Sequence, residues 1–369
     1  MGMGTLGAGN LGVPVMIDLF ERLSADFNVI FYSFLPIDDS LVPSSIVVRQ
    51  PVGLRIPGRV KYFLVALRCL WDHMLRPFSL FFSVSIYPTS RWAIVLGRLL
   101  NRPVLVQLIA TEAGTSPDIS FGNLTIPWLR KITLDVCRKA DVVVVVADYQ
   151  KKFAVKNLQT RKEIAVLPLR INTKKFSFQD RTVSYPVQFI QIAFYSALKD
   201  QDTLFAAFSK IAQKIPCHLT VVGEGFHVPK VQAMIADLQI ADKVTFTGFV
   251  ENDELPKYLN SAHILLHTAL FETGCAVIQE AMASGVVVAG TNVGILSDIG
   301  DEYAVIVPPR SPEYLAEKII ELVHDPARYE KIRDTAYHFI STYGEEWSYR
   351  NYRDFVAGVI ENKAKNGGT

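Results

Sequence analysis

Phe271–Thr291 reads FETGCAVIQEAMASGVVVAGT, and the order of its parts sets the fold class. The run before it, HILLHTAL at 263–270, is short and apolar and ends in polar residues, as a buried strand does. Thr273-Gly274-Cys275 is turn-like, and AVIQEAMASG after it is helical in composition. Strand, short loop and helix N-terminus therefore follow one another. In α/β proteins ligands settle at that junction, because first-turn N–H groups lack intrahelical partners and attract anions. Glu272 falls in the loop and Glu280 on the helix, with seven residues between them. Both can reach one ligand over the helix start: a phosphate near Gly274–Ala276, with a carboxylate for hydroxyls on each side. The plain alternative is a solvated acidic loop followed by an ordinary helical Glu.

The E-x7-E spacing followed by AMASG-VVVAG-T resembles the C-terminal signature of the retaining glycosyltransferases of family 4, whose fold is GT-B. The family pattern is acid, Gly, aromatic, Gly, then EAMA-x-G-x-PVV. Here Thr273 stands at the first Gly, Gly274 at the aromatic and Cys275 at the second Gly. The resemblance implies that Glu272 contacts the donor sugar, that Glu280 contacts the nucleotide ribose, and that the amides of Thr273, Gly274, Cys275 and Ala276 hold the diphosphate. It also implies a cation pair on the diphosphate. Lys199, just before a helix, fits one member, and Phe194 stands where the family has Arg. Glu272 and Lys199 are the residues expected to carry catalysis. Phe249 and Val250 would border the base, after the strand VTFTG. Asn292–Asp301 resembles the family's VGG-x-P-E loop, with Ile295 for the second Gly and Asp298 for Glu.

The chain has 369 residues, enough for two domains of ordinary size. Half are hydrophobic and a fifth charged, which excludes a disordered protein. Cys69, Cys137, Cys217 and Cys275 have no C-x-x-C or zinc spacing and read as reduced thiols, three of them in the core. Residues 1–186 carry 23 Lys and Arg against 13 Asp and Glu, and the remainder 15 against 23. The basic first half suggests an anionic partner: a membrane surface, a lipid-phosphate acceptor or nucleic acid, the last without a binding motif to support it.

In chain order, Gly7-Ala-Gly9-Asn10-Leu-Gly12 matches G-x-G-x-x-G, but only six residues precede it where a strand is required. In family 4 a Gly-rich loop follows the first strand and faces the donor diphosphate, so Gly9, Asn10 and Gly12 join the expected donor site, with that strand apparently missing or cut short. Helices are expected near 13–23, 91–100, 128–140 and 147–155, alternating with strands near 28–34, 104–108, 141–146 and 163–167. Arg59–Phe82 is apolar with interspersed cations and reads either as a core helix followed by a strand or as a basic amphipathic surface on a bilayer. No run in it reaches the roughly 18 uncharged apolar residues of a membrane span. Ser177–Pro186 is polar and reads as the linker. Gly223-Glu224-Gly225 is a tight strand-to-helix turn after HLTVV.

The expected architecture is α/β, GT-B, with two Rossmann-like parallel-sheet domains facing a central cleft. Residues 1–180 form the acceptor-side domain, 187–342 the nucleotide-sugar domain, and 343–369 a helix crossing back to the first. The expected activity is transfer of a sugar from a nucleotide sugar to an alcohol with retention, in surface polysaccharide or glycolipid synthesis. No cofactor and no metal are expected, and no nucleic acid. The partners are a nucleotide sugar, a glycan or lipid-linked acceptor, and an anionic membrane met by the basic half, with a cytoplasmic location against the inner face. Two other classes stay open. One is a degenerate member that binds a nucleotide sugar or a partner glycosyltransferase without catalysis; the other is a nicotinamide oxidoreductase resting on the G-x-G-x-x-G alone.

Overall fold

The computed structural model describes residues 14–34, 42–50, 58–115 and 117–366. In chain order the elements are α1 (Pro14–Leu23), β1 (Ile30–Tyr32), β2 (Val47–Arg49), α2 (Gly58–Leu75), β3 (Phe81–Val84), α3 (Thr89–Leu99), β4 (Val104–Gln107), α4 (Pro127–Lys139), β5 (Val142–Val145), α5 (Asp148–Asn157) and β6 (Ile164–Val166). There follow β7 (Val187–Ile192), α6 (Gln201–Ala212), β8 (Cys217–Val222), α7 (Pro229–Asp237), β9 (Val244–Gly248), α8 (Leu255–Ser261), β10 (Ile264–His267) and α9 (Ala276–Ala283). The chain closes with β11 (Val287–Thr291), α10 (Ile295–Ile299), β12 (Val305–Val307), α11 (Pro312–Val323), α12 (Pro326–Thr342) and α13 (Glu345–Asn366). Two compact units emerge: Met1–Leu169 with Glu345–Thr369, and Arg170–Gly344.

The first unit holds a parallel sheet ordered β3-β4-β5-β6 and a parallel pair β1-β2. Its strands are nearly continuous apolar runs, as parallel strands covered on both faces must be. Among the described residues no strand joins β1 to β3, yet the two sheets share cores. Phe31 and Phe82 both meet Phe20 edge to face, and Tyr32 and Phe81 lie in one buried cluster. The last helix, α13, belongs to this unit. Its fully buried Tyr352 donates to the Leu167 carbonyl at 2.7 Å and stacks on Phe82, while Ser348 donates to the Pro168 carbonyl.

The second unit holds a six-stranded parallel sheet, β12-β11-β10-β7-β8-β9. Its core joins β-branched strand residues to the inner face of α6, whose Leu204, Phe205, Phe208 and Ile211 are fully buried. The unit begins at Arg170, so the polar stretch 177–186 lies inside it rather than between domains. Phe178 packs on Tyr337, with ring centroids 4.2 Å apart. Arg181 donates to the carbonyls of Leu259, Asn260, Ala262 and Ser284. Polar composition here serves to satisfy backbone acceptors at the ends of other elements.

The strand order has one reversal. From β7 the chain steps outward through β8 and β9; from β10 it steps the other way through β11 and β12. Loops leaving the carboxyl ends of β7 and β10 diverge there, and the crevice they leave is where doubly wound sheets bind ligands. The two loops are 193–200 and 268–275, and they carry Lys199 and Glu272.

Candidate donor site

The two loops are hydrogen-bonded to each other. Leu270 N donates to Leu198 O at 2.8 Å, and the Thr268 hydroxyl donates to the carbonyls of Lys199 and Asp200 at 2.9 and 3.0 Å. Asp200 turns the chain in the left-handed region, at φ 46°, and its carboxylate accepts from Thr203 to cap α6. This fixes Lys199 at the end of β7 with its side chain reaching Glu272 across the junction.

The Lys199 ammonium donates to Glu272 Oε2, and the same oxygen lies 3.5 Å from His267 Nε2. Thr273 N donates to the other carboxylate oxygen at 3.2 Å. Burial alone would raise the Glu272 pKa, but the Lys199 charge and the His267 contact reverse this and hold the carboxyl well below the usual range. Burial works against the Lys199 charge too, and Glu272 more than offsets it, so the ammonium stays protonated. His267 is lowered by burial and held neutral at pH 7. Cys275 Sγ sits 3.9 Å from His267 Nε2, and burial pushes its thiol up to about 12. Among the described residues, His267, Glu272 and Cys275 form a group whose ligand atoms lie within 4.8 Å of one another. The oxygen a cation would need is the one already held by Lys199, whose positive charge repels a metal ion. The cluster therefore suits a proton-bearing network.

Cys275 is the residue before α9 and has φ 34°, in the left-handed region that favours Gly. No side-chain cap hydrogen bond closes the first turn of α9; the Ile278 amide meets the Cys275 sulfur, and the turn's other amides lack intrahelical partners. The loop is backed by Gly294, at φ 56°. A Cβ there would stand 2.5 Å from Thr273 O and 2.9 Å from Glu272 C, so no larger residue fits. Ile295 N donates to Thr273 O at 2.8 Å, and the Gln279 amide donates to Gly274 O at 2.8 Å.

Glu280, one turn into α9, is 8% exposed, and its Oε2 has no hydrogen-bond partner among the described residues. Burial pushes this carboxyl up to about 7, against a smaller opposing pull from Lys175. It is a buried acid at the rim of an anion-attracting helix start, drawn only weakly by Lys175.

The other expected residues fall as follows. Gly223 and Gly225 turn the chain after β8. A Cβ on Gly223 would come 2.1 Å from Ala193 O, so this glycine lets the turn press on the loop that leads to Lys199. Phe249 is 43% exposed and, with Val250, follows β9, two strands and about 10 Å across the sheet from β7. Phe194 points to solvent at 58% exposure, with its carbonyl held by Gln201. Arg170 does not take the missing arginine's place: its guanidinium lies 5.2 Å from the Phe339 ring centre, within reach of the Asp298 charge. Gly9, Asn10 and Gly12 lie outside the described residues. Sequence reading missed Thr268, His267, Gln279 and Gly294. His267 closes the apolar strand run at its carboxyl end, where ligand contacts gather in such sheets, and that position was its one signal.

A doubly wound unit with its charged cluster at the strand-order reversal is a nucleotide-binding architecture. The sequence model of glycosyl transferases group 1 matches residues 172–339, which lie inside the unit Arg170–Gly344. The 2-deoxystreptamine glucosyltransferase of Streptomyces kanamyceticus is 31% identical over 109 residues, 29% of this chain and 28% of that protein. A GDP-mannose-dependent alpha-(1-6)-phosphatidylinositol monomannoside mannosyltransferase of Mycobacterium tuberculosis is 31% identical over 140 residues, 35% of this chain and 36% of that protein. The matches thus span about a third of the length of these relatives. Among solved structures, Anabaena HepE in complex with UDP superposes with a TM-score of 0.76 at 15% identity, over 97% of this chain and 98% of that one. Sucrose-phosphate synthase from Thermosynechococcus elongatus gives 0.72 at 17% identity, over 92% of each chain. The fold is GT-B, and the chain resembles the glycosyltransferases of family 4.

Proposed function

We propose that the chain moves a sugar from a nucleotide-diphosphate sugar to an alcohol acceptor with retention at the anomeric carbon. The observation that carries this reading is the pairing of a settled carboxylate, Glu272 on Lys199, with an unsettled one, Glu280, on either side of an uncapped helix start. The diphosphate would lie over the first turn of α9 and share the Lys199 ammonium. Fixed amides and a half-buried cation would stabilise the negative charge that grows on the leaving diphosphate. Glu272 would accept from the sugar hydroxyls and Glu280 from the ribose, Phe249 and Val250 would border the base, and a leaving-group phosphate oxygen would take the acceptor proton. No metal or cofactor enters; turnover should be unchanged by a chelator. The similarity to a phosphatidylinositol monomannoside mannosyltransferase supports a glycolipid acceptor, and the proposal extends to a polysaccharide acceptor and to work at the inner face of a membrane.

The test is release of nucleoside diphosphate from a panel of nucleotide sugars, with and without candidate acceptors. Glu272→Gln should lower kcat at least about a hundredfold while the protein still folds and binds nucleoside diphosphate, in the range seen on removing one transition-state contact. Turnover at the parent's rate in that variant would remove Glu272 from the site. A second reading, binding without transfer, draws on exposed Phe194 in place of a phosphate-holding Arg. Under it, nucleotide sugar binds and no diphosphate is released with or without acceptor.

A further inference from the structure

Helix α2 is apolar on two faces. Its inner face enters the core of the first unit through Val65, Ala66 and Cys69, with Tyr62 and Leu70 packed against them. Its outer face presents Val60, Phe63, Leu67, Trp71, Met74 and Leu75, with exposures from 44% to 68%. These follow one another at intervals of three, four and one, so they form a single stripe along the helix. From Val60 to Leu75 the stripe runs about 22 Å along the helix. A surface helix ordinarily turns charged residues to solvent, and an apolar stripe of this length marks an interaction site.

The charge around the stripe is of one sign. Residues 58–104 contain seven Lys and Arg and one acid, Asp72. That acid is buried, accepting from Tyr32 at 2.7 Å and pairing with Arg49 and Arg68. On α3, which packs beside α2, Arg91 and Arg98 are exposed next to Val95 and Leu99. Exposed apolar residues flanked by cations, with no carboxylate facing outward, are complementary to an anionic lipid surface. Among the described residues no helix is long and apolar enough to cross a membrane, so the contact would be one of lying on it.

We infer that α2 and the adjoining face of α3 dock on an anionic bilayer, with the α2 stripe in the acyl boundary and the arginines at the headgroups. This stands apart from the sugar-transfer reading: a chain that transferred nothing would still bind, and a failure to bind would leave the donor site untouched. The experiment is sedimentation of the full chain with vesicles of phosphatidylcholine containing about a third phosphatidylglycerol, beside vesicles of phosphatidylcholine alone. The chain should pellet with the anionic vesicles, and raised salt should weaken this. Leu67→Ser combined with Trp71→Ser should reduce partitioning at least tenfold, and Arg91→Glu with Arg98→Glu should do so for anionic vesicles. These side chains are exposed, and unchanged melting of each variant will show that the fold is intact. Equal pelleting of parent and variants, equal pelleting with neutral vesicles, or none at all would overturn the inference. So would a concentration-dependent dimer, seen by light scattering, that the α2 substitutions abolish, because the stripe would then face a second copy.

Discussion

Glu272, half-buried, and Glu280, buried, stand at one helix start and are in opposite electrostatic states. Glu272 has Lys199, His267 and a backbone amide around it and is held ionised. Glu280 has an oxygen with no partner among the described residues and a carboxyl pushed up to about 7. A carboxylate that served only the fold would be paired or replaced, since an unsatisfied buried polar group costs about 1–3 kcal/mol. On the proposed reading, the difference separates a pair that shapes the site from a residue kept for a ligand.

The largest effect expected is on the settled side. Lys199→Ala removes the one full positive charge on the half-buried Glu272, leaving it His267 and the Thr273 amide, and should cost about 2–3 kcal/mol in chemical unfolding, with turnover lost. Lys199→Met with Glu272→Gln should restore most of the stability and none of the turnover. If the double variant is as unstable as the single, the pair is not what holds the junction.

Next is pH. The Glu280 carboxyl titrates higher in the folded chain, about 7, than its ordinary 4.5. The native state therefore binds more protons than the unfolded one between those values, and this group's contribution makes stability fall as pH rises. The span corresponds to about 3 kcal/mol in total. Glu272 has the opposite sign: its depressed pKa gives stability that is present above the ordinary carboxylate range and lost as pH falls below it. Unfolding free energies from pH 4 to 8 should thus flatten above pH 5 in Glu280→Gln, and a slope unchanged from the parent would contradict the assignment. A smaller effect is expected on binding: Glu280→Gln should weaken nucleoside diphosphate about tenfold, the loss of one charged hydrogen bond. Smallest is Cys275→Gly, which relieves a left-handed backbone and should stabilise by about 1 kcal/mol, measured by denaturant midpoint at unchanged slope.

Much of this was legible in the sequence because parallel strands are short apolar runs with polar ends. VQFIQI, HLTVV and HILLH declare the strands, and the loop positions of Lys199 and Glu272 follow from where those runs stop. Their being brought together depends on β7 and β10 being neighbours, which is topology and not a local signal. The unit boundary at Leu169 and Arg170 was hidden for a similar reason. Ser177–Pro186 looks like a linker, but Arg181 spends its donors on carbonyls some 80 to 100 positions away. Helix α2 reads first as a core helix and second as a surface, because a sequence apolar on two faces does not say which face the rest of the chain will cover. Gly294 was missed because its need for glycine arises from a backbone more than twenty positions earlier, at Glu272 and Thr273.

The contrast between the two acids rests on Glu280 being reserved for a nucleotide. The most direct measurement is thermal unfolding of the parent and of Glu280→Gln against a panel of nucleoside diphosphates at about pH 8. Ligand at a hundred times its dissociation constant adds about 2.7 kcal/mol, a readily visible rise in melting temperature. One base should raise the parent's melting temperature clearly and raise the variant's less at the same concentration. No rise in the parent with any base, or equal rises in both proteins, would show that Glu280 is not a nucleotide contact.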